Sequence, residues 1–468
     1  MTDYTHIKVD VWDVINSFRG KGFSKGDVRA YISLLADLNV LNGINDYAEA
    51  LNIAFENAKE VYKTGGAKRM KEDYWDKVRE WSSIDRSSLH AIPPKGVQVQ
   101  LAPLVHGVNI VSLFTGAYGL DLGFELAGYD VMLGLDISDT SYKNFKANKP
   151  KTPFIHDDIS RYTTDDILKE AGLKPGEVDV VTGGPPCQPF STAGKREGLQ
   201  DYRSKALVEY IRFIKEAKPK VFIMEEVTGL LNSRLVHVSI KERGKRPLRP
   251  EEEAGSLWKV VLDTLQEIGY MITWGVLNAA DFGTPQMRER VIVVGIRQDI
   301  GVAPTLPQPL YSSTLTGATL PWITTAEAIM GVNEDIGYIN LPPKYLKYIS
   351  YVPGGGNWRQ IPNELKQDAM NGAYMTEGGK MGFYRRLAWF DPSPTLVTSP
   401  IMKATMLIHP WYDRPIGVRE YLKIQGFPDY WKVIVGVQEA YKLFGEAVPV
   451  PLAYAIATHI GKLLEWSE

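Results

Sequence analysis

The residue best suited to covalent chemistry in this sequence is Cys187, its only cysteine. It follows Pro185 and Pro186 directly after the apolar run 178–182, where a strand would end and a ligand could be reached. An arbitrary lone cysteine is most often a small buried hydrophobe. At the end of a strand, however, a cysteine can be activated as a thiolate nucleophile. A single cysteine also excludes an internal disulfide and a multi-cysteine zinc site.

A glycine-rich segment at 112–123 indicates where a second ligand would bind. Glycines after a first strand let the backbone approach a nucleoside and lead into a helix N-terminus. Asp136 closes the next apolar run about 20 residues further on, where a ribose hydroxyl would be held. Asp158 ends the stretch before the third helical run. Each feature alone is a weak signal, but together they indicate an adenosine-type cofactor.

From residue 108 onward, short apolar runs alternate with helical stretches, which is typical of a doubly wound, mostly parallel α/β sheet. Strands are predicted at 108–114, 131–135, 178–182, 221–224, 271–277 and 290–296. Helices are predicted at 120–129, 139–148, 163–172, 204–217 and 256–269. Such sheets bind ligands beyond the carboxyl ends of their strands, which is where Cys187 stands.

A chain of 468 residues is longer than one core usually organises. Hydrophobic residues make up 44% and charged residues 23%, which excludes a largely disordered or fibrous protein. We predict a helical accessory domain at 1–85, a linker at 86–107, an α/β domain formed by 108–297 with 443–468, and an irregular second lobe with its return segment at 298–442. A DNA-contacting helical module is the alternative for the first of these domains.

The formal net charge is −2, from 53 basic against 55 acidic side chains. If the partner is nucleic acid, binding must therefore come from local basic patches and not from the field of the whole molecule. The N-terminus lacks the pattern of a signal peptide. No apolar run is expected to reach the ~18–20 residues of a membrane span. We expect a cytoplasmic protein with no membrane partner.

The segment 183–191, Gly-Gly-Pro-Pro-Cys-Gln-Pro-Phe-Ser, resembles the nucleophile motif of the DNA (cytosine-5) methyltransferase family in its bacterial form. Further segments resemble other motifs of that family, in the same order along the chain: 112–123, 224–227, 286–290, 419–428 and 444–449. The resemblance implies a Rossmann-like methyltransferase domain that carries a smaller target-recognition lobe. It also implies S-adenosyl-L-methionine as the cofactor.

The resemblance implies transfer of a methyl group to C5 of a cytosine that is flipped out of double-stranded DNA. Cytosine C5 is too electron-poor to attack a methyl donor, and addition of the Cys187 thiolate to C6 would make it nucleophilic. Glu225 would hold or protonate N3 of the base. Arg290 would hold O2, and Arg288 would brace the loop or a phosphate. Pro186, in the nucleophile motif, completes this catalytic set.

In the family that this sequence resembles, an aromatic residue stacks on the adenine of the cofactor, one acid holds the ribose and another faces the adenine amine. Phe114, Asp136 and Asp158 stand at those positions. The whole set predicted for the cofactor is Phe114, Thr115, Gly116, Gly119, Asp136, Ile137, Asp158, Ile159, Pro185, Glu446 and Val448. No metal is expected.

The residues predicted to contact DNA lie around the nucleophile, in the second lobe and in an extra basic stretch at 233–250. They are Ser191, Arg203, Gln286, Trp358, Arg359, Lys241, Arg243, Lys245 and Arg246, with Arg385 and Arg386 as further candidates. Segment 194–203 resembles the family's mobile catalytic loop. Surface arginines are more often merely solvated, and a plain solvated loop is the alternative for the basic stretch.

Some positions depart from the family pattern: Ser112 replaces a frequent acid, Tyr118 a glycine, and Glu226 and Glu446 two asparagines. Tyr118 is expected to narrow the cofactor turn. A carboxylate at Glu446 would repel the carboxylate of the donor unless it pairs with a cation or with the donor's ammonium. An altered sulfonium donor, such as decarboxylated S-adenosylmethionine, is therefore one alternative.

Other functions are less well supported by the sequence. RNA modification is disfavoured because the related tRNA methyltransferases are compact and lack so large a recognition lobe. A non-catalytic DNA-binding module would not need Cys187, Glu225 and Arg290 together. As partners we expect double-stranded DNA and a cognate restriction endonuclease in a restriction-modification pair, and we expect the protein to act as a monomer.

Overall fold

The computed structural model describes residues 104–186, 205–236, 238, 245–313, 319–329, 332–375, 379–389 and 391–466. It also describes a two-residue parallel pair, Val9–Asp10 with Leu41–Asn42. The predicted helical domain at 1–85 and the predicted linker up to residue 103 otherwise lie outside the described residues. The predicted site residues outside the described part are Cys187, Ser191, Arg203, Lys241 and Arg243.

Seven strands form one mixed sheet at the centre of the described chain. They are β1 (Asn109–Leu113), β2 (Asp130–Leu135), β3 (Phe154–Ile155), β4 (Val180–Gly183), β5 (Val221–Glu226), β6 (Tyr270–Asn278) and β7 (Glu289–Arg297). Their order across the sheet is β3-β2-β1-β4-β5-β7-β6. β1 to β5 run parallel, whereas β7 pairs antiparallel with both β5 and β6. The predicted fold class is confirmed, with the short β3 as an addition.

Both faces of the sheet are buried, and the central strands therefore read as continuous apolar runs. Ile110 of β1 and Val180 of β4 belong to the core on one face. Val111 and Val181, their neighbours in the chain, belong to the core on the other face. This two-sided burial explains why the strands were visible in the sequence without an alternating pattern.

The helices that follow and cover these strands lie close to the five predicted ranges: α1 (Gly119–Leu126), α2 (Asp139–Asn148), α3 (Thr164–Glu170), α4 (Lys205–Ala217) and α5 (Ser256–Glu267). Further helices lie in the lobe and after it: α6 (Thr325–Ile329), α7 (Pro343–Ile349), α8 (Asn363–Met370), α9 (Val418–Ile424), α10 (Val437–Glu446) and α11 (Val450–Leu463). α11 returns to lie against α1. The approach is so close that a Cβ on Gly123 would lie 2.3 Å from Ala453 Cβ, which only glycine avoids.

Between β7 and α9 the chain forms a lobe of short helices and two-residue strands. The lobe has a core of its own, which contains Tyr345, Ile349 and Tyr384. A second core, to which Leu396 belongs, is shared with α9 and α10. The lobe is therefore packed onto the sheet domain through its return segment. The domain limits at 297 and 442 stay predictions.

The stretch Val437–Leu463 is the one part of the described chain long and apolar enough to cross a membrane, judged by length and composition. The expectation that no apolar run reaches such a length is therefore wrong. The stretch consists of α10 and α11, separated by residues 447–449, and most of its apolar part is buried inside the protein. Its apolar character is accounted for by packing against α1 and the sheet.

Candidate active site

The residues that could react or bind a ligand lie at one edge of the sheet, because parallel strands end at the same edge. The turn that contains Gly116 and Gly119, called the glycine turn below, follows β1, and Asp136 follows β2. The segment leading to Cys187 follows β4, and Glu225 is the last residue but one of β5. The structure therefore brings these predicted positions together although they are far apart in sequence.

Glu225 and Arg290 form an ion pair on neighbouring strands. Arg290 Nε lies 2.7 Å from Glu225 Oε1, and both side chains are largely buried. In the antiparallel register Glu225 faces Ile292, so Arg290 is its diagonal neighbour on the same face. A Cβ on Gly184 would lie 3.0 Å from Glu225 Oε2. The carboxylate thus lies against the segment that leads to Cys187, and a cation orients it.

The two prolines after β4 restrict how the chain leaves the sheet. Pro185 is buried and Pro186 is exposed. Each proline sets its own φ angle and disfavours a helical conformation in the residue before it. Cys187 lies outside the described residues, and its role as a nucleophile stays a prediction.

Asp136 holds the glycine turn in place. Gly116 N donates to Asp136 Oδ2 at 2.8 Å, and Ser138 N donates to Oδ1 at 2.8 Å. Ser141 Oγ donates to the carbonyl of Gly116 at 2.6 Å. Burial raises the pKa of Asp136, and the backbone N–H groups of Ser138 and Gly116 oppose that rise. A carboxylate has lone pairs beyond these two bonds, so Asp136 can also accept a hydroxyl group.

Two further positions predicted for the cofactor differ in how accessible they are. Ile137 is 68% exposed although it is large and apolar, and it could lie against an aromatic ring. Asp158 is half-buried and accepts a hydrogen bond from Ser160 N at 2.9 Å. The side chains of Thr115 and Ile159 are buried, which leaves only their backbone for a ligand.

A buried acid next to the turn was missed by the sequence reasoning. Asp121 in α1 accepts from Ser112 Oγ at 2.7 Å and from Thr182 Oγ1 at 2.6 Å. Thr115 Oγ1 lies 3.0 Å from Ser112 Oγ and accepts from Leu135 N at 3.0 Å. This cluster ties α1 to the ends of β1, β2 and β4. Its one signal in the sequence is an acid inside the otherwise apolar run 119–124.

Gln286 and Arg288 are buried, 0% and 1% exposed, and both side chains bind other protein groups. Gln286 Nε2 donates to Gln425 Oε1 at 2.9 Å, and its Oε1 accepts from Leu396 N at 2.9 Å. Arg288 donates to the carbonyls of Leu396 and Glu446, each at 3.1 Å. The DNA contact predicted for Gln286 is therefore wrong in this structure. Arg288 braces backbone loops, as one of its two predicted roles required, and does not reach a phosphate.

Glu446 and Val448 lie where α10 ends, beside the glycine turn. A Cβ on Gly119 would lie 2.1 Å from the carbonyl oxygen of Val448, so the start of α1 fits this loop only as glycine. The Glu446 side chain is exposed. Desolvation by the surrounding protein raises the pKa of Glu446, and the charges of Lys442 and Arg288 partly reverse that rise.

Tyr118 does not narrow the cofactor turn, and that expectation is wrong. Its ring is buried and stacks on Trp431, with centroids 5.7 Å apart and planes 12° from parallel. The ring also meets Phe145 edge-on at 5.2 Å. The side chain thus leaves the turn and enters the core shared by α2 and the segment after α9.

The basic stretch after β5 begins at the same edge of the sheet as Glu225. Lys245 is exposed. Arg246 is held by Glu252, with its two terminal nitrogens each 2.6 Å from a carboxylate oxygen. Arg249 adds a bond of 2.9 Å to the same carboxylate. Within the described part of this stretch, Lys245 therefore keeps its place as a candidate phosphate contact, whereas Arg246 has a structural partner.

The second lobe presents a small cationic and aromatic surface. Arg359 is exposed, and its guanidinium carbon lies 5.9 Å from the centroid of the Trp358 ring. Lys380 Nζ lies 5.7 Å from the same centroid. Both predicted residues, Trp358 and Arg359, thus remain available as candidate DNA contacts.

Arg386 is buried, and the candidate groove contact assigned to it is wrong. Its guanidinium donates to backbone carbonyls of several segments of the lobe and to one carboxylate. The acceptors are Ile349, Val352, His409, Tyr412 and Asp413. Arg385 is half-buried and donates to the carbonyl of Met406 at 3.1 Å. Both arginines hold the lobe together.

Comparison with known proteins identifies the family. The family described as C-5 cytosine-specific DNA methylase matches residues 108–462. The Type II methyltransferase M.PspPI of Psychrobacter sp. is 36% identical over 366 residues, which cover 76% of this chain and 79% of that protein. M.Sau96I of Staphylococcus aureus is 33% identical over 358 residues, 76% of this chain and 75% of that protein.

A solved structure shows the same fold. It is described as a DNA modification methyltransferase encoded within a prophage of E. coli, and it superposes with a TM-score of 0.53 at 22% identity. The superposition covers 77% of this chain and all of that one. Since the family match includes the sheet, the site edge and the lobe, this chain belongs to the C-5 cytosine-specific DNA methylases and is a DNA cytosine-5 methyltransferase.

Proposed function

We propose that this methyltransferase uses S-adenosylmethionine as its donor and forms a covalent bond between Cys187 and C6 of a flipped-out cytosine in a specific double-stranded DNA sequence. The observation that carries the proposal is the Glu225–Arg290 ion pair beside Gly184. Cys187 follows Gly184 by three residues, a reach of at most ~11 Å. The length of this segment therefore allows Cys187 to reach the base that Glu225 holds.

Cys187, Glu225 and Arg290 each have a defined task in this proposed reaction. The Cys187 thiolate adds to C6, which makes C5 nucleophilic. Glu225 in its protonated form donates its proton to N3 as negative charge builds on the ring, and the resulting carboxylate stays paired with Arg290, which also reaches O2. When bound, S-adenosylmethionine supplies the electrophilic methyl group and leaves as S-adenosylhomocysteine. A water molecule then takes the C5 proton, N3 returns its proton to Glu225, and the C5–C6 double bond re-forms as Cys187 leaves as a thiolate.

The turn after β1 fits an adenosine-type donor. Gly116 has a φ of 54° and no Cβ, so the backbone can approach a ligand closely. Asp136 keeps acceptor capacity for the ribose, and the exposed Ile137 can cover one face of the adenine. Asp158 provides an acceptor for the adenine amine, and Phe114 provides an aromatic ring on which the adenine can stack.

The charges around Glu446 support the ordinary donor over a decarboxylated one. Lys442, one helical turn earlier, and Arg288 are cations whose fields act on Glu446. They partly offset the repulsion between Glu446 and the carboxylate of S-adenosylmethionine, while the charge of Asp136 acts on Glu446 in the opposite direction. Calorimetric titration of both donors should show preference for S-adenosylmethionine. Tighter binding of the decarboxylated donor would restore the altered-donor alternative.

The covalent step is tested in two stages, because the target sequence must first be found. Nucleoside mass spectrometry of DNA from cells expressing the protein should show C5-methylcytosine, which is absent with Cys187→Ser, and bisulfite sequencing then locates the site. A duplex with 5-fluorocytosine at that site should trap the wild-type protein, because the fluorine blocks loss of the C5 substituent. Cys187→Ser should bind this duplex without trapping. Trapping that survives the substitution would refute Cys187 as the nucleophile, and binding without any trapping by the wild type would favour a binding module.

The expected partners follow from this reaction. Flipping one base requires one active site, so we propose a monomer, and sedimentation of the purified protein on its target duplex should give one protein per site. The names of the curated relatives, Type II methyltransferases, support a companion restriction endonuclease of the same specificity. We propose that the protein works in the cytoplasm, where bacterial DNA is found.

A further inference from the structure

The turn between β1 and α1 has an unusual backbone. Three of its residues adopt the left-handed conformation: Phe114 with φ 56°, Gly116 with φ 54° and Tyr118 with φ 72°. Glycine adopts such angles freely, whereas a bulky aromatic residue does so only at a cost in energy. Strain of this kind persists where the surroundings overdetermine it. The contacts of Tyr118 must therefore hold the turn in its conformation.

The ring of Tyr118 lies between two elements that are distant in sequence. Trp431 stacks on one face, and Phe145 of α2 meets it edge-on. Lys149, just after α2, places its Nζ 5.6 Å from the centroid of the ring. With 1% of its surface exposed, Tyr118 is among the largest fully buried side chains of the described chain. One side chain thus connects the turn to α2 and to the segment around Trp431.

These two elements are also joined to each other and to α1. Asn148 Nδ2 donates to the carbonyl of Lys432 at 2.9 Å, and Lys432 N donates to Asn148 Oδ1 at 2.8 Å. Lys149 Nζ lies 2.5 Å from Glu125 Oε1 in α1. The helix α2 and the residue after it are therefore joined both to α1 and to the segment around Trp431 by contacts that do not involve the turn itself.

Gly116, on the other side of the turn, is held by Asp136 and Ser141, as described above. Asp136 precedes α2, and Ser141 belongs to it. Both ends of the turn are thus attached to the same helix, one by hydrogen bonds and the other by the Tyr118 ring. The turn and the residues after β2 are held as one unit.

We infer that Tyr118 is a positioning residue for the methyl donor: it holds the turn 114–119 in the binding conformation before the donor arrives. This rests on the proposed use of S-adenosylmethionine. A glycine at this position would allow the same φ without strain, but it would leave the turn free to sample other conformations. Binding would then have to order the turn, and affinity would fall.

The test compares Tyr118→Gly with Tyr118→Phe, which keeps the ring and removes only the hydroxyl. Titration of the full chain should show that Tyr118→Gly binds both S-adenosylmethionine and S-adenosylhomocysteine about tenfold more weakly. Tyr118→Phe should bind them within about twofold of wild type. The KM for the donor should rise by the same factor in Tyr118→Gly, with kcat at saturating donor and affinity for DNA retained.

Trp431→Leu removes the stacking partner and leaves the residue in the turn unchanged. It should also weaken donor binding, and the double variant should bind the donor no more weakly than Tyr118→Gly alone, because both changes act through one contact. A folded Tyr118→Gly with wild-type donor affinity would overturn the inference. So would an equal loss of donor and DNA affinity that follows the loss of thermal stability. If the wild-type chain itself fails to bind S-adenosylmethionine, the proposal that this compound is the methyl donor is refuted as well.

Discussion

Asp121 places a carboxylate where it has little access to water. Burial raises its pKa to about 6, and the hydrogen bonds from Thr182 and Ser112 oppose that rise. An acid with a raised pKa binds its proton more tightly in the folded than in the unfolded state. Its contribution to stability is therefore greatest at low pH and is lost as pH rises from ~4 through 6. Ser112, where the family frequently has an acid, avoids a second carboxylate beside it.

Asp121→Asn should remove the free-energy cost of burying a charge, because an amide can keep hydrogen bonds to both hydroxyl groups and is neutral. At pH 7 the free energy of unfolding should rise by ~1–3 kcal/mol relative to wild type. The difference should vanish by about pH 3, where the wild-type carboxyl is protonated in both states. Thermal unfolding between about pH 3 and 8 measures this, with Asp130→Asn, an exposed acid, as the control. A difference that does not change with pH would contradict the expectation.

The role of a residue could be predicted from the sequence where the residue takes part in the reaction. It could not be predicted where the residue holds distant segments together. Glu225 and Arg290 could be chosen from their motifs, and the structure pairs them. Gln286 stands in the same motif as Arg290, yet it was assigned to DNA. Its partners Gln425 and Leu396 lie 139 and 110 residues further along the chain. No local pattern discloses contacts over such separations.

Among the elements, the strands of the sheet domain were predictable from their continuous apolar runs, and its helices from apolar residues at helical spacing. The lobe was not, because its helices have eight residues or fewer and depend on tertiary contacts. Arg386 provides such contacts by joining backbone carbonyls of separate segments. A sequence gives no indication that an arginine is buried when its acceptors are backbone atoms of distant loops.

The basic stretch after β5 gives a prediction for an element as a whole. If it lies along a DNA backbone, Lys245→Ala should reduce the slope of log affinity against log salt by about 0.9, since one phosphate contact is lost. Lys174 is also exposed but precedes β4 at the opposite edge of the sheet. Lys174→Ala should leave the slope unchanged. Equal slopes for the wild type and Lys245→Ala would favour a plain solvated loop.

At the scale of the whole molecule, a network of buried polar side chains joins the sheet domain to the return segment of the lobe. Gln286 bonds to Gln425 and Leu396, and Gln425 Nε2 in turn donates to the carbonyl of Phe444. Arg288 joins the same two regions through the carbonyls of Leu396 and Glu446. The relative placement of the turn 114–119 and the lobe thus depends on buried side chains whose partners are other protein groups.

Gln286→Leu should lower the free energy of unfolding by ~1–3 kcal/mol, because it leaves Leu396 N and Gln425 Oε1 buried without partners. The affinity for DNA at fixed salt, measured where both proteins are folded, should stay within about twofold of wild type, since the buried side chain makes no DNA contact. Gln266→Leu, at an exposed position of α5, serves as the control for unfolding. Weaker DNA binding with unchanged stability would restore the DNA contact that the structure argues against.

The close approach of α11 to α1 has a consequence for synthesis of the protein. α11 emerges from the ribosome after the sheet and the lobe, yet Ala453 and Val448 close the space beside Gly123 and Gly119. Until Val448 and Ala453 have been synthesised, the turn 114–119 and the start of α1 lack the residues that pack against them. We therefore expect chains terminated before residue 447 to be inactive rather than weakly active. A cell in which translation stops early would produce no fragment able to mark its DNA.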